Sequence, residues 1–321
     1  MTTPATPTAD GMTVFGGSGS PRLTKRVCEH LGVVPGASEV VRFSEGNLFV
    51  RILDNVRGRH VYLVQSTAFP ANDNLVELLF WIDAFQRASA ESVTAVVPYF
   101  SYAKGDKKDE PRVSVRARVC ADAIEAAGAD RLVTMDLHAP QIQGFFKIPV
   151  DDLYALPVLG ARIRELVSGD VVVVAPDAGF AKKARRFATY LGATLAIVDK
   201  ERRGHDERSR VVDIIGDVAG RTAVLVDDFA ISCGTLANAA AAMIERGAVR
   251  VLAAVSHGVF AAGSMERLEA SPIERLLVTD TVETQPVALA PRVEVVSVAP
   301  LFAEAIGRIH RRESLSVLFP A

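Results

Sequence analysis

The chain has 321 residues, 49% hydrophobic and 23% charged, with 36 Lys and Arg against 38 Asp and Glu for a formal net charge of -2. That balance describes a soluble globular protein of about two domains and offers no global positive field for nucleic acid. No apolar run approaches the roughly 18 residues of a bilayer-spanning helix, so no membrane partner is expected.

Residues 1–12 are rich in Thr and Pro and lack both a basic leader and an apolar stretch, so they read as a disordered tail, not a signal peptide. Cys28, Cys120 and Cys233 are odd in number, widely spaced and free of any Cys/His metal pattern. They indicate neither a disulfide framework nor zinc, and the expected compartment is the cytoplasm. Gly16-Gly-Ser-Gly-Ser20 is too generic for a phosphate loop and reads as a turn after a first strand.

Short apolar runs then alternate with helical patterns: 60–65, 92–98, 131–136, 170–175, 194–199, 223–227, 250–256 and 274–280. This is repeated β-α winding, with mainly parallel sheets whose strands are covered on both faces. Similar series lie on either side of Lys147–Tyr154. The expectation is therefore two α/β halves, 13–155 and 156–321. A last strand near 293–299 and an amphipathic helix over 301–310 close the chain, and their pattern does not say which half receives the helix.

Three segments carry the chemistry. Ala223-Val-Leu-Val runs into Asp227 and Asp228, then into a small-residue turn, Ser232-Cys-Gly-Thr235, ahead of an alanine-rich helix former. Acids at the carboxyl end of a buried strand suit sugar hydroxyls, and a turn opening a helix suits a phosphate. On spacing alone, the alternative is an ordinary β-α connection with a solvated acid pair. The second segment, Thr134–Phe146, releases Asp136 and His138 from a strand two residues apart, where both can face one site. In the third, Asp177 precedes a turn with Lys182 and Lys183, and a basic run, Asp199–Arg210, follows as a mobile loop or a solvated surface. Acid ligands for magnesium, a phosphate cradle and mobile cations together are what phosphoryl transfer needs.

Longer words fix the comparison. Asn72–Leu79, Thr94–Pro98, Met135-Asp-Leu-His138 with Gln141–Phe146, Ile214–Val218 and Leu301–Ile306 make the chain, from about Phe15 to Phe319, resemble the ribose-phosphate pyrophosphokinases, which make phosphoribosyl pyrophosphate. The resemblance implies an α/β fold of two phosphoribosyltransferase-like (type I) domains with mainly parallel sheets, related by a pseudo-twofold. It implies a homo-oligomer built from dimers, with a site between domains completed by a neighbouring subunit. The implied reaction moves the diphosphate of Mg-ATP to the 1-hydroxyl of ribose 5-phosphate, releasing AMP. Carried onto this sequence, Lys200, Arg202 and His138 are the catalytic residues, and His138 and Asp177 hold Mg2+. Asp227 and Asp228 take the ribose hydroxyls, Ser232, Cys233, Gly234 and Thr235 take the 5-phosphate, and Phe43, Glu45, Asn47, Lys104, Gly105 and Asp106 bind the nucleotide.

The sequence departs from that family at ligand positions. Ile231 stands where an Asp usually precedes the sugar-phosphate turn, and Lys104-Gly105 stands for an Arg-Gln pair. Asn47 replaces a Glu, and Phe180 replaces a Gly of the diphosphate loop. An apolar side chain accepts no hydrogen bond, and an ammonium lacks the planar guanidinium fork. These changes keep two alternatives open: a family member using another nucleoside triphosphate or sugar phosphate, and a non-catalytic regulatory subunit.

Overall fold

A computed structural model describes residues 11–202, 209–283 and 287–319, with the side chains of 200–212 outside that description. Residues 1–10 of the expected tail also lie outside it, and the first strand already begins at Met12. The chain divides into two compact units, one drawn from Met1–Tyr154, Thr281–Thr284 and Val298–Ala321, the other from Ala155–Asp280 and Gln285–Ser297.

In chain order the first unit contains β1 (Met12–Gly16), α1 (Pro21–Leu31), β2 (Ser38–Arg42), β3 (Leu48–Ile52), β4 (His60–Val64), α2 (Ala71–Arg87), β5 (Ser92–Val97), α3 (Arg116–Ala127), β6 (Arg131–Met135) and β7 (Val150–Leu153). β1, β4, β5, β6 and β7 form a parallel sheet in that order, while β2 and β3 make a separate antiparallel hairpin. The sheet forms because runs such as Val61–Val64 and Val93–Val97, apolar apart from Thr94, are buried. Against it, α2 lays down Leu78, Trp81, Ile82 and Phe85, the three- and four-residue spacing that gathers one helical stripe. Phe85 contacts Phe15 with ring centroids 4.8 Å apart and stacks on Trp81 at 5.7 Å.

The glycine-rich segment after β1 is indeed a turn, and its amides are already occupied. Glu77 Oε1 accepts the Ser18 N–H at 2.8 Å and the Trp81 Nε1–H at 3.2 Å, and Gln65 Oε1 accepts the Gly19 N–H at 2.8 Å. A Cβ on Gly17 would sit 2.2 Å from Gln65 Oε1, so this close approach requires glycine. Internal acceptors therefore take the place an anion would need.

The second unit contains α4 (Leu156–Leu166), β8 (Val171–Ala175), α5 (Ala181–Leu191), β9 (Thr194–Arg202), β10 (Ser209–Ile215), β11 (Thr222–Ala230), α6 (Gly234–Glu245), β12 (Arg250–Gly258), α7 (Ser264–Glu269), β13 (Ile273–Thr279) and β14 (Val293–Val296). Its seven-stranded sheet has the order β10-β9-β8-β11-β12-β13-β14, parallel except for the β9-β10 pair. Strand order reverses between β8 and β11, because the chain winds outward from β8 to β9 on one side and resumes with β11 on the other. Such a switch point opens a crevice at the carboxyl ends of the strands. Across the first unit's sheet, by contrast, the chain order runs in one direction without reversal.

The closing helix α8 (Ala299–His310) packs on α1 and so belongs to the first unit, whereas the sequence-based division left it in 156–321. Its apolar stripe required a partner but could not name one. Beside it, Glu283 caps α1: its carboxylate accepts the Arg22 N–H at 2.9 Å and the Leu23 N–H, donors that Ser20 leaves unsatisfied. The Arg22 Nε–H also reaches Glu283 at 2.9 Å.

Glu77→Ala removes an acceptor for two donors, and Glu77 itself is buried at 2% exposure. Leaving buried donors unsatisfied costs about 1–3 kcal/mol. Urea titration should show a lower midpoint for this variant, and an unchanged midpoint would mean that water serves the loop equally well.

Candidate active site

The second unit gathers its polar chemistry at the switch point. β8 and β11 are parallel neighbours, Val171 to Val174 facing Thr222 to Leu225. Past the Val174–Leu225 pair, where the two strands part, stand Asp177 after β8 and Asp227 and Asp228 in the last residues of β11, which still pairs with β12 there. β9 flanks β8 and continues past the Ala175–Ile197 pair as far as Arg202, so the backbone carries Lys200 and Arg202 beyond the same edge. Their side chains lie outside the described residues. The basic run read as a loop is partly strand: Arg202 pairs with Ser209 and Glu201 with Arg210. Its middle, 203–208, lies outside the described residues.

Asp228 is buried at 5% exposure and faces Lys183 Nζ across 3.9 Å. Its Oδ1 accepts the Phe229 N–H at 3.0 Å, and Asp227 Oδ1 accepts the Asp228 N–H at 2.9 Å. Although Asp227 keeps some exposure, its carboxyl is pushed well above the ordinary range, first by burial, then by the charge of Asp228, with Asp177 adding to it. Asp177 caps the turn that follows, Oδ1 accepting the Phe180 N–H at 3.1 Å. The Phe180 ring lies under Lys183 Nζ at 5.5 Å, so the residue replacing a glycine braces the cation that pairs with Asp228.

The small-residue turn comes next. Cys233 takes a left-handed conformation (φ 59°) and α6 begins at Gly234, so the first amides of α6 open where Ser232 and Thr235 stand. The Gly234 N–H donates to Ser232 Oγ at 3.5 Å. Arg267, on α7, donates to the Ser232 carbonyl at 3.1 Å, and the Ala261 N–H donates to the Ile231 carbonyl at 2.8 Å. Burial pushes the Cys233 thiol up to about 11, with Arg267 pulling the other way, which keeps it neutral. Nothing local in the sequence marks Arg267 as the residue that holds this turn.

In the first unit, β6 ends at Met135, and Asp136 turns the chain with a positive φ of 44°, its N–H donating to Leu153 O at 2.8 Å. The buried Asp152 accepts the Leu137 N–H at 3.1 Å, which presents His138 at the surface. Three residues on, Gln141 Nε2 donates to Asp106 Oδ2 at 2.9 Å, tying the His138 loop to the Lys104-Gly105-Asp106 segment. The sequence offered that segment and that loop separately; Gln141 stood in a quoted motif, but nothing in it named Asp106 as its partner. Phe43, Glu45 and Asn47 occupy the exposed tip of the β2-β3 hairpin, where Asn47 Nδ2 donates to Glu45 Oε1 at 3.3 Å. The hairpin is anchored next to its tip by Arg42 to Asp73 at 2.7 Å, while the neighbouring Asn72 accepts from Tyr102.

Among the described residues no cluster of three or more His, Cys, Asp or Glu side chains is arranged to hold a metal ion. His138 belongs to the first unit and Asp177 to the second. The crowded carboxyls around Asp227 nonetheless suit a hard cation, because oxygen donors with mutually repelling charge are relieved by one, and Mg2+ commonly needs only one or two carboxylates beside substrate phosphates.

Comparison with known proteins decides the ancestry. Residues 12–128 match the N-terminal domain of ribose phosphate pyrophosphokinase, and residues 206–320 match the phosphoribosyl synthetase-associated domain. The chain belongs to the ribose-phosphate pyrophosphokinase family. It is 49% identical over 311 residues to a ribose-phosphate pyrophosphokinase of Caldanaerobacter subterraneus subsp. tengcongensis, covering 97% of this chain and 98% of that protein. To the Agrobacterium fabrum protein of the same name it is 46% identical over 310 residues, covering 96% and 100%. The crystal structure of phosphoribosylpyrophosphate synthetase from Mycobacterium smegmatis superposes with a TM-score of 0.88 at 37% identity, covering 94% of this chain and all of that one. The pyrophosphokinase is thus an α/β enzyme with mostly parallel sheets, and among the described residues no helix is long and apolar enough to cross a membrane.

Because folding favours the protonated form of Asp227, ionising it costs stability as pH rises from about 4, where an unfolded Asp titrates, towards its raised folded pKa. Without divalent cations, the stability of Asp227→Asn relative to wild type should therefore rise between about pH 4 and pH 8. Urea denaturation at the two pH values reads this, and a difference independent of pH would rule out a raised Asp227.

Proposed function

We propose that the protein is a ribose-phosphate diphosphokinase that transfers diphosphate from Mg-ATP to the 1-hydroxyl of ribose 5-phosphate, giving phosphoribosyl pyrophosphate and AMP. The observation that carries this reading is the convergence of three strand ends at the switch point: Asp177 after β8, Asp227 and Asp228 at the end of β11, and Lys200 and Arg202 at the end of β9. Acceptors for a sugar, a turn opening α6 for its phosphate and cations for a polyphosphate share one sheet edge.

Asp227 and Asp228 accept hydrogen bonds from the ribose hydroxyls, orienting the anomeric oxygen. The amides of Gly234 and Thr235 and the hydroxyls of Ser232 and Thr235 hold the 5-phosphate, with Cys233 supplying the left-handed turn and Arg267 fixing the loop from behind. Ile231 adds no acceptor, so the sugar-phosphate is held by one group fewer than the family pattern provides. Lys200 and Arg202 meet the charge that builds on the transferring phosphoryl group, which they bind more tightly in the transition state than before it. Phe43, Glu45, Asn47, Lys104, Gly105 and Asp106 receive the nucleotide, the exposed hairpin tip serving a second copy of the chain in a homo-oligomer. His138 and Asp177 are each candidate ligands for Mg2+ beside substrate phosphates, and the ion would supply charge neutralisation. The reaction takes place in the cytoplasm.

The test is direct. Purified protein with Mg2+, ribose 5-phosphate and each nucleoside triphosphate in turn should release AMP and phosphoribosyl pyrophosphate from ATP. Product only with another donor or another sugar phosphate would replace this reading with a diverged specificity, and no turnover with any pair would reject it. Lys200→Ala should lower kcat on the order of a hundredfold or more while changing substrate KM values little. A variant with undiminished kcat would remove Lys200 from the mechanism. Ile231→Asp should lower KM for ribose 5-phosphate, the saturation curve against that sugar being the measurement.

A further inference from the structure

The donor segment Lys104-Gly105-Asp106 lacks a planar guanidinium and lacks any side chain at 105. The structure fills that gap from elsewhere. A Cβ built on Gly105 would lie 2.5 Å from Arg116 Nε and 2.9 Å from Arg116 Cβ, so Arg116 packs directly over the face of Gly105 where a longer residue would project. The backbone holds the two together: the Gly105 N–H donates to Tyr102 O at 2.8 Å, and Gly105 O accepts the Ala117 N–H at 3.1 Å. Gln141 steadies the next residue, Asp106.

Arg116 is exposed, and no hydrogen bond or ion pair to another described residue engages its guanidinium. Nearby arginines are used differently. Arg118, two residues along α3, pairs with Asp122 at 2.7 Å, and Arg87 at the end of α2 pairs with Asp83 at 2.8 Å. Arg116 is also the first residue of α3, whose first turn holds no acid. A cation there faces the positive end of the helix and gains nothing from it. Its position is unfavourable for the empty protein and favourable once an anion arrives between guanidinium and amides.

We propose that Arg116 is a donor-binding residue that supplies, from the start of α3, the guanidinium fork missing at positions 104 and 105, and that it grips the polyphosphate of the nucleoside triphosphate. This rests on the assignment of 104–106 to the nucleotide. A guanidinium binds a phosphate bidentately, which an ammonium such as Lys104 cannot do. Because the contact is to phosphate and not to base, it strengthens every nucleoside triphosphate alike and leaves base selection to other residues. Gly105 is small because Arg116 needs the space.

The experiment is steady-state kinetics on the full-length protein. Arg116→Ala should raise KM for ATP about tenfold, equivalent to about 1.4 kcal/mol, and raise KM for any other accepted triphosphate by a similar factor. KM for ribose 5-phosphate and kcat should stay within about twofold, the split that separates lost ground-state binding from general damage. Gly105→Ala, which forces Arg116 aside without removing it, should raise KM for ATP in the wild-type background and have no further effect in Arg116→Ala. An unchanged KM for ATP in Arg116→Ala overturns the proposal, as does a fall in kcat with both KM values altered together, or additive effects of the two substitutions. Should Arg116→Ala fail to fold, Arg116→Lys, which keeps the charge and loses the planar fork, decides: a raised KM for ATP supports the proposal and an unaltered one overturns it. Failure of the underlying assignment looks different, since Lys104→Ala would then also leave KM for ATP unaltered.

Discussion

Negative charge at the ends of β8 and β11 is the constraint around which the second unit is organised. Asp228 is buried, Asp227 sits against it, and Asp177 adds its field from the adjacent strand. The empty protein keeps this arrangement by three means: Lys183 stands beside Asp228, backbone N–H groups donate to all three carboxylates, and Asp227 favours its proton. The site is therefore built at some cost to the unliganded fold, which is the usual relation between pre-organised polar chemistry and stability.

The departures from the family pattern are accommodated locally. The Phe180 ring lies beneath Lys183 and holds an ammonium close to Asp228. Ile231 brings no acceptor to the turn that opens α6, but its carbonyl is tied to Ala261, and the next carbonyl along is tied to Arg267. Position of the turn is thus set by its backbone, which frees side chain 231 to vary.

Much of the architecture was legible because parallel strands buried on both faces must be apolar throughout. Val171 to Val174 and Ala223 to Val226 announce themselves, and the acids that end them mark the site. The hairpin of β2 and β3 was not legible as strands: Glu39, Arg42 and Arg51 interrupt it, and one face is open to water. The anchors were hidden for a different reason. Glu283 caps a helix 261 residues away from it in sequence, Arg267 reaches a turn 35 residues back, and Gln141 bonds an acid 35 residues earlier. A side chain that works at such separations leaves no periodic trace, and an apolar stripe such as that of α8 states that a partner exists without identifying it.

The path of the chain carries a consequence for its biosynthesis. The first unit is completed by Glu283 on α1 and by α8 laid against that helix, both encoded after nearly the whole of the second unit. At about 5–20 residues per second, the ribosome needs roughly six to thirty seconds after Tyr154 to deliver them. During that interval α1 exposes the surface meant for its late companion, so the nascent polypeptide is a natural client for chaperones, and the opening half cannot mature before the closing one.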